Sequence, residues 1–151
     1  MPDSRVTRVL TAIKSKVAQD FSAKSSQLNF TNACVLGSLD SPPSLPYASV
    51  FFVDFQTQHG PTLGRYQATP RFECYIFVGG DSVANRISQT INACSDIIES
   101  LTQDRFLGLG SGFIDDVLCN FTAVEGDKYG LEGVGIGYIE INTPYQSSSG
   151  I

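Results

Sequence analysis

Apolar residues recur at a helical interval along the first part of the chain. Val6, Val9, Leu10, Ile13 and Val17 share one stripe, with Arg5, Arg8, Lys14 and Lys16 on the opposite side. This spacing predicts an amphipathic helix over residues 4–21, with Asp3 or Ser4 as its N-cap. A second stripe of Val83, Ile87, Ile91, Cys94, Ile98 and Leu101 predicts a longer helix, capped by Asp81 or Ser82. Between the two the period changes to two. Phe72, Cys74, Ile76 and Val78 alternate with Arg71, Glu73, Tyr75 and Phe77, as in a strand with two unlike faces.

The β-branched and aromatic run at residues 47–55 predicts another strand, and His59-Gly60-Pro61 then forces a turn. With an extended segment over residues 66–78 this makes an antiparallel hairpin whose outer part projects beyond the sheet. Two further strands are expected at residues 117–124 and Val134–Asn142, the last stopped by Pro144. Residues 22–46 are rich in Ser, Asn and Pro and read as a long connection, in which Cys34–Leu36 is compatible with a short strand. The order α-β-β-α-β-β predicts a single α+β domain over residues 1–145, two helices packing on one face of a mainly antiparallel sheet. Residues 146–151 read as a tail that is flexible or ordered by a partner. Gly133, Gly135 and Gly137 share one face of the last strand, which leaves room either for a closely packed helix or for a neighbouring subunit.

Composition narrows the classes of function. At 151 residues, 42% hydrophobic and 17% charged, the chain suits one globular domain. No apolar run approaches the ~20 residues of a membrane-spanning helix, and no signal-peptide pattern opens the chain. The net charge of -5 speaks against a nucleic-acid binder driven by bulk charge. That charge is segregated: residues 1–24 carry five basic and two acidic side chains (+3), and the rest carry five basic and thirteen acidic (-8). The basic helix is either a solvated face or the complement of an acidic neighbour such as a second copy of the chain.

Candidate chemistry is sparse. Cys34, Cys74, Cys94 and Cys119 lie 40, 20 and 25 residues apart with no close pair, so the expectation is reduced, buried thiols and no metal site. His59 is the single histidine and falls in a turn, a poor place for a base that must be held in orientation. Asp115 and Asp116 are adjacent, which in an extended segment points them to opposite faces. Gly108, Gly110 and Gly112 follow a helix and precede a strand, the reverse of a phosphate-binding loop, and suit a loop that changes shape. No enzymatic constellation and no cofactor are expected.

The layout resembles the tail terminator (tail-completion) proteins of long-tailed bacteriophages. The helix with Val6, Val9, Leu10 and Ile13, the strand with Val50-Phe51-Phe52-Val53 and the polar hairpin carry the likeness. So do Arg71-Phe72-Glu73-Cys74-Tyr75-Ile76-Phe77-Val78 leading into the second helix, and the closing Val134-Gly135-Ile136-Gly137-Tyr138-Ile139-Glu140-Ile141. The resemblance implies a non-catalytic virion protein, assembled in the host cytoplasm as a ring, usually a hexamer. Such a ring ends polymerisation of the tail tube and docks the tail to the head-side connector, while DNA passes through the lumen without specific binding. Contacts to neighbours are then expected from Arg5 and Arg8, from the hairpin residues Gln56, Gln58, His59, Leu63 and Arg65, and from the loop residues Arg105, Leu107, Phe113, Asp115 and Asp116. Another neck component, a head-completion or tail-to-head adaptor protein, would share these features. A ligand-binding α+β domain would instead need a concave polar pocket near Asp54, Arg71 and Glu73.

Overall fold

In the computed structural model the described residues are 4–19, 28–37, 44–60, 63–110, 112–126 and 132–147. The first helix, α1, spans Arg5–Val17. The Ser4 side chain caps it by accepting the Thr7 amide at 3.2 Å, and Val9, Ile13 and Val17 form its buried stripe. It stops short of the expected residue 21. The Ala18 and Gln19 amides donate back into the last turn, and the Thr31 hydroxyl takes the Ala18 carbonyl at 2.8 Å, an acceptor the next turn of helix would need. Residue 21 itself lies outside the described residues.

The strands are β1 (Cys34–Leu36), β2 (Tyr47–His59), β3 (Tyr66–Gly79), β4 (Leu118–Glu125), β5 (Val134–Asn142) and β6 (Tyr145–Ser147). They form one sheet in the order β1-β2-β3-β5-β4, with β6 beside the first residues of β3. The β1–β2 pairing is parallel and all others are antiparallel. β2 runs four residues past its expected end, because Gln56–Gln58 pair with Gln67–Thr69 despite their polarity. The register moves by one at Val53, between Phe52↔Phe72 and Asp54↔Arg71, which marks a β-bulge. The chain also stays in the sheet beyond residue 145. Gln146 and Ser147, expected in the tail, pair with Gln67 and Tyr66, while residues 148–151 lie outside the described residues.

One face of the sheet is covered by helices. Phe72, Cys74, Ile76 and Val78 of β3 point to it together with Ile139 and Ile141 of β5, and all are buried. α1 and the second helix, α2 (Val83–Thr102), close the same core. Each fully buried isoleucine or phenylalanine contributes about 1.5–3 kcal/mol relative to exposure. The fold is thus the expected α+β arrangement of two helices against a mostly antiparallel sheet.

The buried side of α2 differs from the apolar stripe. Arg86, Thr90, Ala93, Cys94, Ile97 and Leu101 face inward, whereas Val83 and Ile91 are exposed. β5 explains the rotation. A Cβ at Gly135 would overlap the Thr90 hydroxyl and come within 3.0 Å of the Arg86 carbonyl, and one at Gly137 would lie 2.5 Å from Cys94 Sγ. The glycines admit the helix backbone so closely that only a short-chain face fits between them. This resolves the reading of the glycine face in favour of a core helix. Gly133 does not belong to that face: it precedes β5, with a positive φ of 74° and open space around it.

Candidate interaction surface

The hairpin end carries five of the expected contact residues. Gln56, Gln58, His59, Leu63 and Arg65 are all exposed, and Leu63 is 102% accessible. Internal bonds stiffen the arms beneath. Gly60 N–H donates to the Arg65 carbonyl at 2.9 Å, Gln58 Nε2 donates to Gln67 Oε1 at 2.9 Å, and the His59 ring lies 5.3 Å from that of Tyr66.

Among the basic and loop residues expected to make contacts, Arg8, Arg105, Asp115 and Asp116 are exposed and Leu107 is buried. Arg5, half-buried, sits over the Tyr145 ring at 4.3 Å, and Arg8, exposed, over the Phe113 ring at 4.4 Å, so each cation rests on a ring of its own chain. Arg105 is exposed and stacks on its neighbour Phe106 at 4.7 Å. Leu107, expected on the contact surface, is in the core at 3% exposure. Asp104 puts it there. Its carboxylate accepts the Phe106 and Gly108 amides at 2.9 Å each, and Leu107 takes a left-handed φ of 53° between them. Those two amide bonds hold the half-exposed Asp104 carboxyl below its usual range. Asp115 and Asp116 are exposed, and Asp116 Oδ1 accepts the Val117 amide at 2.8 Å just before β4.

Among the described residues the other face of the sheet has no helix over it. Phe51, Tyr75 and Tyr138 stand side by side there, with ring centroids 5.7 and 5.2 Å apart. Glu73 joins the row by accepting the Tyr138 hydroxyl at 2.6 Å and the Tyr75 hydroxyl at 3.3 Å. It also stands directly opposite Glu140, a like-charge pair that costs stability unless each carboxylate finds donors. The bond to Glu73, with burial second, raises the Tyr138 hydroxyl above its ordinary value. Tyr75 is raised chiefly by burial and then by the Glu73 charge. Tyr138→Phe is therefore expected to cost about 1–2 kcal/mol in urea unfolding at pH 7, the low end for a hydrogen bond to a charged group at a half-exposed site. The native state holds this proton more tightly than the unfolded chain, so the contribution is complete below the ordinary tyrosine value of 10 and fades as pH rises above it. A wild-type advantage over Tyr138→Phe that stays constant from pH 8 to pH 11 would contradict this.

A polar cleft of about 350 Å³ lies on that face at the base of the hairpin, lined by Gln56, Gln58, Thr69, Arg71, Glu140 and Asn142. It is the pocket a ligand-binding domain would need, yet its charges are engaged. Arg71 Nε lies 3.2 Å from Asp54 Oδ1, a charge contact without hydrogen-bond alignment, and Asn142 donates to Glu140 at 3.3 Å. An open groove of about 400 Å³ runs between α1 and the glycine-rich loop, past Arg8, Lys16, Leu107 and Leu109. All four cysteines are free. Burial pushes the thiols of Cys94 and Cys119 up to about 12 and that of Cys34 up to about 11, far from the reactive thiolate range. Among the described residues there is no group of three His, Cys, Asp or Glu side chains that could hold a metal, and no helix is long and apolar enough to cross a membrane.

No family model and no curated protein matches the chain. Among solved structures, its fold is similar to that of a chain in the virion of a native gene transfer agent particle. The two share 12% sequence identity at a TM-score of 0.61, over 92% of this chain and 95% of the other, a likeness of fold across nearly the whole of both.

Proposed function

We propose that this chain is a structural virion protein that forms a ring at the head-proximal end of a phage-like tail tube, ending tube growth and docking the tail to the head-side connector. The observation that carries the reading is the end-to-end likeness of fold to a chain of a virion particle. It agrees with the resemblance of the element order to tail terminators. The surface supports it as well: the hairpin end is exposed, and in the polar cleft at its base Arg71 lies against Asp54 and Glu140 accepts from Asn142. In this reading the protein works by contact rather than catalysis. The copies number six, and the net charge of -5 lets DNA pass the lumen without adhesion.

Omission of the chain from the particle that carries it separates the alternatives. A terminator predicts tails longer than the normal distribution and unjoined to heads. Tails of normal length beside unjoined heads would mark another neck component, and normal joined particles would overturn both readings.

A further inference from the structure

Among the described residues the sheet has two edges that are wholly or partly without a strand partner. β1 covers β2 only at residues 48–50, so residues 51–59 have no strand on their outer side among the described residues. β4 is the opposite edge, and no described strand pairs with its outer side. Natural edge strands are blunted by lysine, proline or shortness. Neither of these has a lysine or a proline, and they are nine and eight residues long. The bulge at Val53 is the one blunting device, and residues 54–59 run on beyond it. Each edge also exposes an aromatic ring, Phe52 at 46% and Phe121 at 39%. Both rings lie on the helix-bearing face, because Phe52 pairs with Phe72 and Phe121 with Ile139.

We propose that the two edges are complementary: β4 of one copy adds, antiparallel, to the outer edge of β2 in the next. This rests on the ring reading above and names its subunit contact. Strand directions fit this sense of pairing: β2, β3, β5 and β4 alternate, so a sheet continued by a copy in the same orientation places β4 antiparallel to the next β2. The contact is heterologous, so repetition either closes a ring or runs on as a filament, and the exposed Phe52 and Phe121 rings lie on the same face of the joined sheet. The bonding groups are identifiable. The Ala48 amide and the Val50 carbonyl bond toward β1, and the one-residue shift at the bulge then directs the amides of Phe55, Thr57 and His59 outward. On β4, alternation carried across β3 and β5 leaves those of Cys119, Phe121, Ala123 and Glu125 outward.

Thr57→Pro and Ala123→Pro each remove an outward amide that no internal ladder bond uses, and proline is tolerated at such edge positions. Each variant alone is expected to remain a monomer of 16.3 kDa where the wild type forms rings. Mixed together, they should form a dimer and stop there, because Ala123→Pro keeps an intact β2 edge and Thr57→Pro an intact β4 edge. Sedimentation-velocity ultracentrifugation with circular dichroism reads both outcomes. Proline variants that still form rings overturn the edge pairing and leave the ring reading standing; a mixture that stays monomeric overturns the β2–β4 complementarity. A wild-type chain that is monomeric at every concentration overturns pairing and ring together. Should proline unfold either strand, cysteines at Gln58 paired in turn with Asn120, Thr122 or Val124 test the contact in the folded chain. These inward-bonding positions would face each other as close non-hydrogen-bonded pairs. Covalent multimers in at least one register are expected, and none in any register overturns the proposal.

Discussion

Glu125→Ala and Arg86→Ala are each expected to destabilise the protein by about 3–5 kcal/mol, the cost of leaving one member of a buried ion pair alone. Arg86 Nε donates to Glu125 Oε1 at 2.7 Å, with the two side chains only 10% and 11% exposed. Among the described residues the second Glu125 oxygen has no hydrogen-bond partner, and Arg86 has one further acceptor, the Gly80 carbonyl at 3.3 Å. Each charge thus relies on the other. The loss is large against a typical total stability of about 5–15 kcal/mol. A double replacement, Arg86→Met with Glu125→Leu, removes both charges and keeps the volume apolar, so it is expected to regain most of the loss. Urea unfolding of the two singles and the double decides the matter. Singles that cost under 1 kcal/mol, or a double as damaging as their sum, would contradict it. The pair also fastens the first turn of α2 to the end of β4, a sheet edge without a strand on its outer side among the described residues.

Legibility followed the range of the interactions. β5 matches its expected limits, Val134–Asn142, because alternation along one strand is a local signal. The existence of α2 was equally plain, yet its buried face was not, since that face is chosen by Gly135 and Gly137 more than forty residues away. Arg86 reads as a surface residue until Glu125, 39 positions on, is brought beside it. Phe30 is fully buried although its neighbours are polar; a lone aromatic in the Ser- and Asn-rich connection was the available hint. Polar pairing hid the outer half of β2, and Pro144 masked the short β6 that resumes at the next residue.

The candidate surface divides the same way. Hairpin residues such as Leu63 are exposed because a long arm and a turn put them there, which sequence shows. Whether Arg5 and Arg8 were free could not be read, because Tyr145 and Phe113, the rings they rest on, come more than a hundred residues later. Leu107 looked like part of a mobile glycine loop until the Asp104 carboxylate was seen to fold the loop inward. Edge status is the least local property of all. It depends on strand order across the whole sheet, so no segment pattern distinguishes β4 from an interior strand.

Gly135→Ala is expected to cost more than Gly137→Ala, even though both add one methyl to the same strand. Overpacking of this kind costs about 1–3 kcal/mol when the surroundings can give way, and more when they cannot. At Gly137 the obstacles are side chains, Cys94 Sγ at 2.5 Å and Thr90 Cγ2 at 3.2 Å. At Gly135 the methyl meets the Thr90 hydroxyl and also the Arg86 carbonyl at 3.0 Å, which is helix backbone and moves only if α2 moves. Second-site rescue distinguishes the two. Cys94→Ala removes the sulfur in the way of Gly137→Ala, so the double variant should be less damaged than the two singles added together. Thr90→Ala beside Gly135→Ala leaves the carbonyl in place, and it also deletes the 2.6 Å bond from the Thr90 hydroxyl to that carbonyl. Rescue there should be small or absent. Equal costs at the two glycines, or equal rescue, would mean that α2 can lift off β5 freely. The ion pair between Arg86 and Glu125 opposes that movement, so the helix should stay and the strain should remain at Gly135.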